Sequence, residues 1–203
     1  MNWLKPITMA GTIADLVPLS PSHLEDLAEA VSDGELWKLW YTFIPEPDHM
    51  LAEIERRLKL EGEGSMLPFS VLDKASGKVV GMTTYTNLDP AARRLEIGST
   101  WYRKGVQGTG LNWDCKAMLL SYAFEELDCV AVEFRTSFFN HQSRRAIEKL
   151  GAKLDGVLRN HTRHANGTMR DTCVYSIIES EWPTVKAHLS HLKQAYGNRD
   201  KQL

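Results

Sequence analysis

Residues 96–116 decide how the rest of the chain is interpreted, and they read Glu-Ile-Gly-Ser-Thr-Trp-Tyr-Arg-Lys-Gly-Val-Gln-Gly-Thr-Gly-Leu-Asn-Trp-Asp-Cys-Lys. An extended apolar run comes first, glycines follow at positions 105, 108 and 110, and an apolar stripe with helical spacing comes last. The stripe consists of Trp113, Ala117, Leu120, Phe124 and Leu127. This order predicts a strand, a glycine-rich turn and a helix.

The glycine-rich turn leads directly into the helix, and such an arrangement suits a phosphate group. The first N–H groups of a helix have no partner within it and carry the positive end of its dipole. Glycine lets a backbone approach a ligand closely. The turn matches neither the P-loop pattern nor the G-x-G-x-x-G dinucleotide pattern. Taken alone, it is equally consistent with a plain tight turn.

Length and charge limit the class of protein. The chain has 203 residues, a formal net charge of −2 and a pI of about 6.4. This length suits one domain with a large core, and the charge argues against a general nucleic-acid binder. We expect a single domain over residues 1–203, with its core at about 10–185 and a frayed tail at 197–203.

The sequence also indicates the compartment. Cys115, Cys129 and Cys173 are odd in number and far apart, so neither a disulfide framework nor a zinc site is predicted. The residues near the start lack the apolar run of a signal peptide, and no run has the length of a membrane span. We therefore expect a cytoplasmic protein without a membrane partner.

Hydrophobic patterns predict an α/β fold with one mixed sheet covered by helices. The predicted strands span 12–19, 67–73, 78–86, 93–101, 130–136, 153–163 and 168–178. Helices are predicted from Pro21 to about residue 31, at 48–62, from the glycine turn to about 127, at 140–150, and from 179–183 towards Tyr196. In the helix at 48–62, the buried face is predicted to carry Leu51, Ile54 and Leu58.

An aromatic segment at 35–43 allows two interpretations. It contains Trp37, Trp40, Tyr41 and Phe43. We favour a helix end packed into the core, and the alternative is the wall of an acceptor pocket, since pockets are often lined by aromatic side chains. Trp37 and Trp40, together with Tyr85, are the candidate acceptor-binding residues.

A second motif follows the strand at 130–136: residues 140–152 read Asn-His-Gln-Ser-Arg-Arg-Ala-Ile-Glu-Lys-Leu-Gly-Ala. The glycine turn, the strand and this motif together resemble the GNAT superfamily of acyl-CoA-dependent N-acyltransferases. The resemblance is greatest to the branch that contains ribosomal-protein N-terminal acetyltransferases. Residues 94–98, 107–109, 170–172 and 181–183 also resemble that branch, and the likeness covers roughly 10–185.

The resemblance implies an α/β fold with a mixed, mostly antiparallel sheet and a splayed parallel strand pair, 93–101 and 130–136, that holds acetyl-CoA. It implies that backbone amides of Gln107 to Leu111 hold the pyrophosphate and that Asn140 bonds near the pantetheine arm. The expected cofactor-binding residues are Thr100, Trp101, Tyr102, Arg103, Gln107, Gly108, Thr109, Gly110, Leu111, Asn112, Asn140 and Ser143. The expected partner is a small-molecule or peptide amine, with no nucleic acid, for a monomer or homodimer.

Two positions depart from the family pattern. Gly105 stands where many members have Gln or Arg, so phosphate neutralisation is expected from Arg103, Lys104 or other nearby cations. Ile147 stands where many members carry a tyrosine that protonates the leaving thiolate. Ser143, one helical turn earlier on the same face, is the nearest substitute.

The chemistry requires a base, because an amine must be neutral to attack a thioester. Glu96 is the candidate, since it lies on the strand that leads to the turn, and the alternative is a solvated or paired strand residue. A main-chain N–H near Thr100 or Trp101 is the candidate oxyanion donor. The motifs His161-x-x-His164 and His188-x-x-His191 have no third ligand nearby, so no metal is expected. The alternative to an N-acetyltransferase is a non-catalytic acyl-CoA-binding module or sensor.

Overall fold

The computed structural model describes residues 3–199, with side chains described as far as residue 194. The strands are β1 (Met9–Ala10), β2 (Ala14–Pro18), β3 (Met66–Asp73), β4 (Val79–Asp89), β5 (Arg94–Tyr102), β6 (Ala131–Ser137), β7 (Lys153–Arg163) and β8 (Met169–Ile178). The helices are α1 (Leu24–Ser32), α2 (Met50–Gly62), α3 (Leu111–Ser121), α4 (His141–Lys149) and α5 (Trp182–Arg199). A π-helical turn, Tyr122–Glu126, extends α3.

All eight strands form one sheet in the order β1-β2-β3-β4-β5-β6-β8-β7. Neighbouring strands are antiparallel except for β5 and β6, which are parallel. The prediction of a single α/β domain with a mostly antiparallel sheet is therefore confirmed. One parallel pair at the centre of the sheet distinguishes this arrangement from a simple meander.

The parallel pair separates soon after it begins. Residues Arg94 to Glu96 pair with Ala131 to Glu133, although β5 continues to Tyr102 and β6 to Ser137. Beyond Glu96 the two strands have no ladder between them, so the main-chain groups on their facing edges are not used to pair β5 with β6. The predicted splayed pair is confirmed.

Helices cover both faces of the sheet. One hydrophobic cluster joins the strands to α3 and α5 through residues such as Leu119, Leu120 and Val185. A second, smaller cluster joins β4 and β5 to α1 and α2 through Leu27, Ile54 and Trp101. The central strands are therefore buried on both faces, and the opening between β5 and β6 lies within a rigid core.

Several local predictions need correction. The short strand β1 was not predicted, and residues 35–43 form only a 3₁₀ turn at Leu36–Lys38. On α2, Leu51 is 44% exposed, because the buried face carries the charged residues Glu53 and Arg57 in addition to Ile54. Helix α5 continues to Arg199, so the predicted frayed tail is helical at 197–199, and residues 200–203 lie outside the described part.

No helix within residues 3–199 combines the length and the apolar character that crossing a membrane requires. The cysteines Cys115, Cys129 and Cys173 are all buried and unpaired.

Candidate active site

Strand β5 carries an irregularity just beyond the point where it leaves β6. Trp101 lies opposite Met82 and Gly98 lies opposite Thr84, so Ser99 and Thr100 together face the single residue Thr83. Ser99 has a φ of +48°, which L-residues seldom adopt. Such a bulge re-aims the local backbone and is typical of strands beside functional sites. We call Ser99 and Thr100 the β5 bulge.

Glu96 lies at the vertex of the opening, as the last β5 residue that pairs with β6. Its side chain is buried, and Asn87 Nδ2 donates a 2.6 Å hydrogen bond to Glu96 Oε2. Arg135 Nε lies 3.6 Å from the same oxygen and also pairs with Glu133. Glu96 is therefore a paired strand residue, and its carboxylate borders a small cleft of about 180 Å³.

Burial raises the pKa of the Glu96 carboxyl above its ordinary value, because desolvation disfavours the charged form. The Asn87 hydrogen bond and the Arg135 charge act in the opposite direction. A carboxyl with a raised pKa and a solvent-accessible cleft beside it suits a general base better than an ordinary surface glutamate does.

The glycine turn leads from β5 into α3 through a 3₁₀ turn at Lys104–Val106. Gly108 has a φ of +79°, and apart from its two chain neighbours no described residue lies within 4 Å of the position that a Cβ would take there. Gly110 is the N-cap of α3, whose first residue is Leu111. Thr109 Oγ1 accepts a 3.2 Å bond from the Leu111 N–H, so that amide already has an internal partner.

Arg103, a candidate for phosphate neutralisation, has acidic partners within the protein. Its Nε donates a 3.0 Å bond to Asp33 Oδ2, and its NH1 lies 3.4 Å from Glu29 Oε1, so the guanidinium is held against α1. Its charge is therefore already compensated by two carboxylates. Lys104 is exposed, and its side chain makes no hydrogen bond or ion pair within the described residues. Of the two cations, Lys104 is the better placed for a phosphate.

Asn140 caps α4, because its Oδ1 accepts a 3.0 Å bond from the Ser143 N–H. The Asn140 Nδ2 group and the Ser143 hydroxyl make no hydrogen bond within the part of the chain that is described, and both side chains are half-buried. Ile147 belongs to the main hydrophobic cluster. On the same helix, Gln142 Nε2 donates a 3.2 Å bond to Gln107 Oε1, which connects α4 to the glycine turn.

The remaining cofactor candidates are Thr100, Trp101, Tyr102 and Asn112, and the side chains of the first three are used within the protein. Trp101 and Tyr102 are buried, on the α1/α2 side and the α3 side respectively. Thr100 Oγ1 lies 2.8 Å from Thr83 Oγ1 and accepts a 2.7 Å bond from Lys116 Nζ. Asn112 is half-buried in the first turn of α3. Any contact that Trp101 or Tyr102 makes in the opening therefore involves main-chain atoms.

Of the acceptor candidates, Trp40 is exposed, Trp37 is half-buried and Tyr85 is buried. Trp40 is 48% exposed, and its ring lies 5.4 Å from Phe139 and 5.2 Å from His164. Trp37 is half-buried against the smaller cluster. Phe43 is 75% exposed, so the favoured interpretation of 35–43 as core is wrong for Trp40 and Phe43.

Tyr85 cannot serve as an acceptor contact in this structure. Its ring is completely buried between Phe69 and Tyr122, and its hydroxyl donates a 2.5 Å bond to the Leu119 carbonyl. It is on the α3 side of the sheet, packed in the main hydrophobic cluster. The candidate acceptor wall is thus limited to Trp40 and, less directly, Trp37.

The sequence analysis missed several polar residues around the opening: Glu53, Arg57, Asn87, Lys116 and Arg135. One signal was available, since Glu53 and Arg57 are spaced i, i+4 and such a pair lies on one helix face. Asn87 gave no comparable signal, because its partner Glu96 lies on another strand, and the same holds for the contact between Arg135 and Glu96.

No group of three or more His, Cys, Asp or Glu side chains suited to a metal ion occurs among residues 3–199. The two histidine motifs are used differently. His161 Nδ1 lies 3.2 Å from Thr172 Oγ1, and His188 Nε2 lies 2.9 Å from the Lys149 carbonyl.

Comparisons with known proteins agree with this geometry. Residues 15–153 match the family model described as "Acetyltransferase (GNAT) domain". A Bacillus subtilis (strain 168) protein named "Putative ribosomal N-acetyltransferase YdaF" is 34% identical over 106 residues, which are 52% of this chain and 57% of that protein. The match thus spans only about half of each.

Two further relatives are covered more completely. The Bacillus licheniformis protein named "Uncharacterized N-acetyltransferase p20" is 26% identical over 86% of this chain and 99% of its own length. The crystal structure of a GCN5-related N-acetyltransferase from Brucella melitensis is 28% identical, with a TM-score of 0.81 over 93% of this chain and 86% of that one. The family model covers well over half of the chain, and the matched residues 15–153 include the splayed strands and the glycine turn. The chain therefore belongs to the GNAT family of acetyltransferases.

Proposed function

We propose that this protein transfers the acetyl group of acetyl-CoA to a primary amine by direct attack, without a covalent enzyme intermediate. The observation that carries the proposal is the opening between β5 and β6, where the two strands stop pairing with each other next to the buried carboxylate of Glu96. This arrangement offers a slot for an extended amide-containing chain and a base at the vertex of the slot.

The residues present fit acetyl-CoA as the acyl donor. Gly108 leaves open space beside the turn, and the Asn140 Nδ2 group has no hydrogen-bond partner among the described residues. The turn and this amide group can therefore each bind a polar group of the donor. Main-chain amides of Gly108, Thr109 and Gly110 and the side chain of Lys104 are the proposed pyrophosphate contacts, since the Gln107 N–H already donates a 3.1 Å bond to the Lys104 carbonyl. RimJ of Mycobacterium smegmatis, which shares the fold at 19% identity and a TM-score of 0.79, was solved with CoA-disulfide. When bound, acetyl-CoA supplies an activated acyl group.

The side chains of this protein then have distinct tasks. Glu96 accepts a proton from the amine, directly or through water, so that the nitrogen lone pair can attack the thioester carbonyl. A main-chain N–H of Thr100 or Trp101 stabilises the negative oxygen that develops. The carbon–sulfur bond then breaks and releases the CoA thiolate, to which the Ser143 hydroxyl donates a hydrogen bond. The proton taken by Glu96 passes to solvent, and solvent protonates the thiolate.

The acceptor is proposed to approach past the exposed ring of Trp40, which forms a rim with Phe139 and His164. Aromatic rims of this kind suit peptides and apolar amines equally well. The name of YdaF makes the N-terminus of a ribosomal protein the first acceptor to test. Small amines are the second class.

Donor binding is tested by thermal shift. Because a ligand that binds only the native state stabilises it by about 2.7 kcal/mol at 100-fold saturation, excess acetyl-CoA is expected to raise the Tm. Gly108→Asp should abolish that shift through charge repulsion. Gly108→Asn, which tolerates positive φ and has no charge, is the matched control and should keep most of it. An unmoved Tm of the wild-type protein would contradict the proposed donor.

Turnover is tested by CoA release over a panel of N-terminal peptides and small amines, with product masses. A mass increase of one acetyl group on an amine, with CoA released in equal amount, is the expected result. Binding of acetyl-CoA without turnover on any acceptor would instead favour the non-catalytic acyl-CoA-binding module.

A further inference from the structure

Arg57 of α2 is one of the most deeply buried charged residues among those described, with 3% of its surface exposed. Its Nε donates a 2.7 Å bond to Glu53 Oε1, one helical turn earlier, and Glu53 is also buried. Breaking a buried ion pair leaves an uncompensated charge and is strongly unfavourable. Such a pair therefore holds its guanidinium in one orientation.

The other end of that guanidinium reaches the β5 bulge. Arg57 NH1 donates a 2.8 Å bond to Thr84 Oγ1, and NH1 and NH2 lie 3.3 and 3.4 Å from the Ser99 carbonyl oxygen. Thr84 is on β4 beside the bulge. A single side chain from α2 thus connects the two strands at the point where their register shifts.

The bonded carbonyl belongs to the peptide group whose N–H is that of Thr100. A cation that bonds to the oxygen of a peptide group draws electron density from it and makes the N–H of the same group a stronger donor. Thr100 is one of the two residues whose N–H is proposed to face the developing oxyanion. The contact between Arg57 and the Ser99 carbonyl therefore affects the strength of the proposed oxyanion donor as well as the conformation of the backbone.

The bulge is also held from the opposite face of the sheet. Lys116 of α3 is buried, and its Nζ donates bonds of 2.7 and 3.0 Å to the hydroxyls of Thr100 and Thr83. Two buried basic side chains, from helices on opposite faces, thus hold the β5 bulge, Arg57 at Ser99 and Lys116 at Thr100. Backbone strain such as the positive φ of Ser99 persists only where the surroundings enforce it.

We infer that Arg57, oriented by Glu53, is a positioning residue for the acetyl-transfer step: it fixes the β5 bulge and polarises the Ser99–Thr100 peptide group. Its kinetic consequence rests on the proposed function, whereas its structural consequence does not.

The neighbouring arginine supplies a matched control. Arg56 also bonds to Glu53, with Nε 2.7 Å from Oε2, but it is half-exposed and does not contact the bulge. Arg57→Met and Arg56→Met remove the same charge from the same helix and the same carboxylate. The two variants differ in the contact to Ser99 and Thr84.

The experiment measures two quantities on folded full-length protein. In amide hydrogen exchange, residues 97–102 of Arg57→Met should exchange at least about tenfold faster than in wild type, and those of Arg56→Met at nearly the wild-type rate. In steady-state kinetics with the acceptor found above, Arg57→Met should lower kcat by roughly 10- to 100-fold while KM for acetyl-CoA changes less than about threefold. Arg57→Lys should recover part of the loss because it keeps a cation.

Unchanged exchange at 97–102 in Arg57→Met would overturn the inference whether or not an acceptor is known. A wild-type kcat in a folded Arg57→Met protein, or an equal loss in Arg56→Met, would also overturn it. If Arg57→Met does not fold, Thr84→Val removes one anchor of the guanidinium with little change of volume. That variant should then show faster exchange at 97–102, and wild-type exchange would contradict the inference. Failure of wild-type turnover on every acceptor is a separate result and concerns the proposed function.

Discussion

Asn87 donates a 2.6 Å hydrogen bond to Glu96 Oε2 from a backbone that has a φ of +47°. The β4–β5 ladder is irregular at this point, between Thr86 and Asp89. Asparagine tolerates the left-handed region better than most residues do, so the position suits a side chain that must turn towards the neighbouring strand. The Glu96 carboxylate is therefore buried, and the Asn87 hydrogen bond holds it in one orientation.

The first prediction concerns Asn87→Gly, which relieves the backbone and removes the amide. The Asn87 bond lowers the Glu96 pKa against the effect of burial, so its loss should raise that pKa further. The acidic limb of the kcat/KM profile is then expected to move to higher pH. A profile identical to that of wild type would show that another group controls this limb.

The second prediction concerns Glu96→Gln, which should lower kcat by roughly 10²-fold while acetyl-CoA affinity stays nearly constant. The same change should stabilise the fold. Burial raises the folded-state pKa of Glu96, so between the unfolded and the folded pKa the folded protein binds more protons than the unfolded chain. Stability therefore falls as the pH rises through this range, and the contribution is lost above the folded pKa.

The measurement for Glu96→Gln is chemical unfolding at several pH values. The variant is expected to equal or exceed wild type at pH 7, and its advantage should vanish below the unfolded glutamate pKa of about 4.3. A Glu133→Gln variant is the control, since Glu133 lies in the same network and its pKa is lowered. An active Glu96→Gln enzyme across the pH range would remove Glu96 from the mechanism.

The third prediction concerns Lys116, whose pKa burial lowers to about 7. Between that value and the unfolded pKa near 10.4, the unfolded chain binds a proton that the folded protein lacks, so stability rises with pH. The contribution approaches about 1.4 kcal/mol per pH unit. Lys116→Met should remove this slope and raise stability at pH 7, because Thr83 and Thr100 still bond to each other at 2.8 Å.

This test is restricted to about pH 7 to 8.5 because of the neighbouring Cys115. Burial raises the pKa of the folded Cys115 thiol to about 12, whereas an unfolded thiol titrates near 8.5. Above about pH 8.5 the titration of Cys115 would therefore add its own pH dependence to the stability. Lys38→Met, at an exposed position, is the control and should leave the slope as it is. Parallel stability curves of wild type and Lys116→Met would show that Lys116 stays charged when folded.

The sequence predicted those parts of the fold that local patterns specify. The strands at 153–163 and 168–178 could be predicted because the turn Ala165-Asn166-Gly167 separates them, and Gly167 has a φ of +84° in the structure. Helix α4 follows from its N-cap residue Asn140 and from Gly151, which has a φ of +98° just beyond its end. In each case a residue with a special backbone preference marks the boundary.

The errors in the site arise from tertiary contacts that no local pattern records. Residues 79–85 of β4 are all buried, so alternation does not reveal that Tyr85 is on the α3 side. Arg103 pairs with Asp33 and Glu29, about seventy residues away in sequence. On α2, an ion pair replaces apolar residues on the buried face, and the hydrophobic stripe therefore indicated the wrong side for Leu51.

The last prediction concerns the leaving group, because Ile147 has no proton to donate and is buried in the main cluster. The Ser143 hydroxyl makes no hydrogen bond within the described residues. The contact between Ser143 and the capping residue Asn140 uses the main-chain N–H of Ser143 instead. Ser143→Ala therefore keeps the cap and removes only the hydroxyl. We expect kcat to fall by one to two orders of magnitude, or about 1.4–2.8 kcal/mol, with unchanged acetyl-CoA binding.

Rates must be measured by single turnover, so that product release does not hide the chemical step. His141→Ala, an exposed position at the start of the same helix, is the matched control and should keep the wild-type rate. A normal single-turnover rate for Ser143→Ala would show that the serine hydroxyl does not assist the departure of the thiolate. An equal loss in both variants would assign the effect to α4 as a whole, since neither change then acts through the hydroxyl.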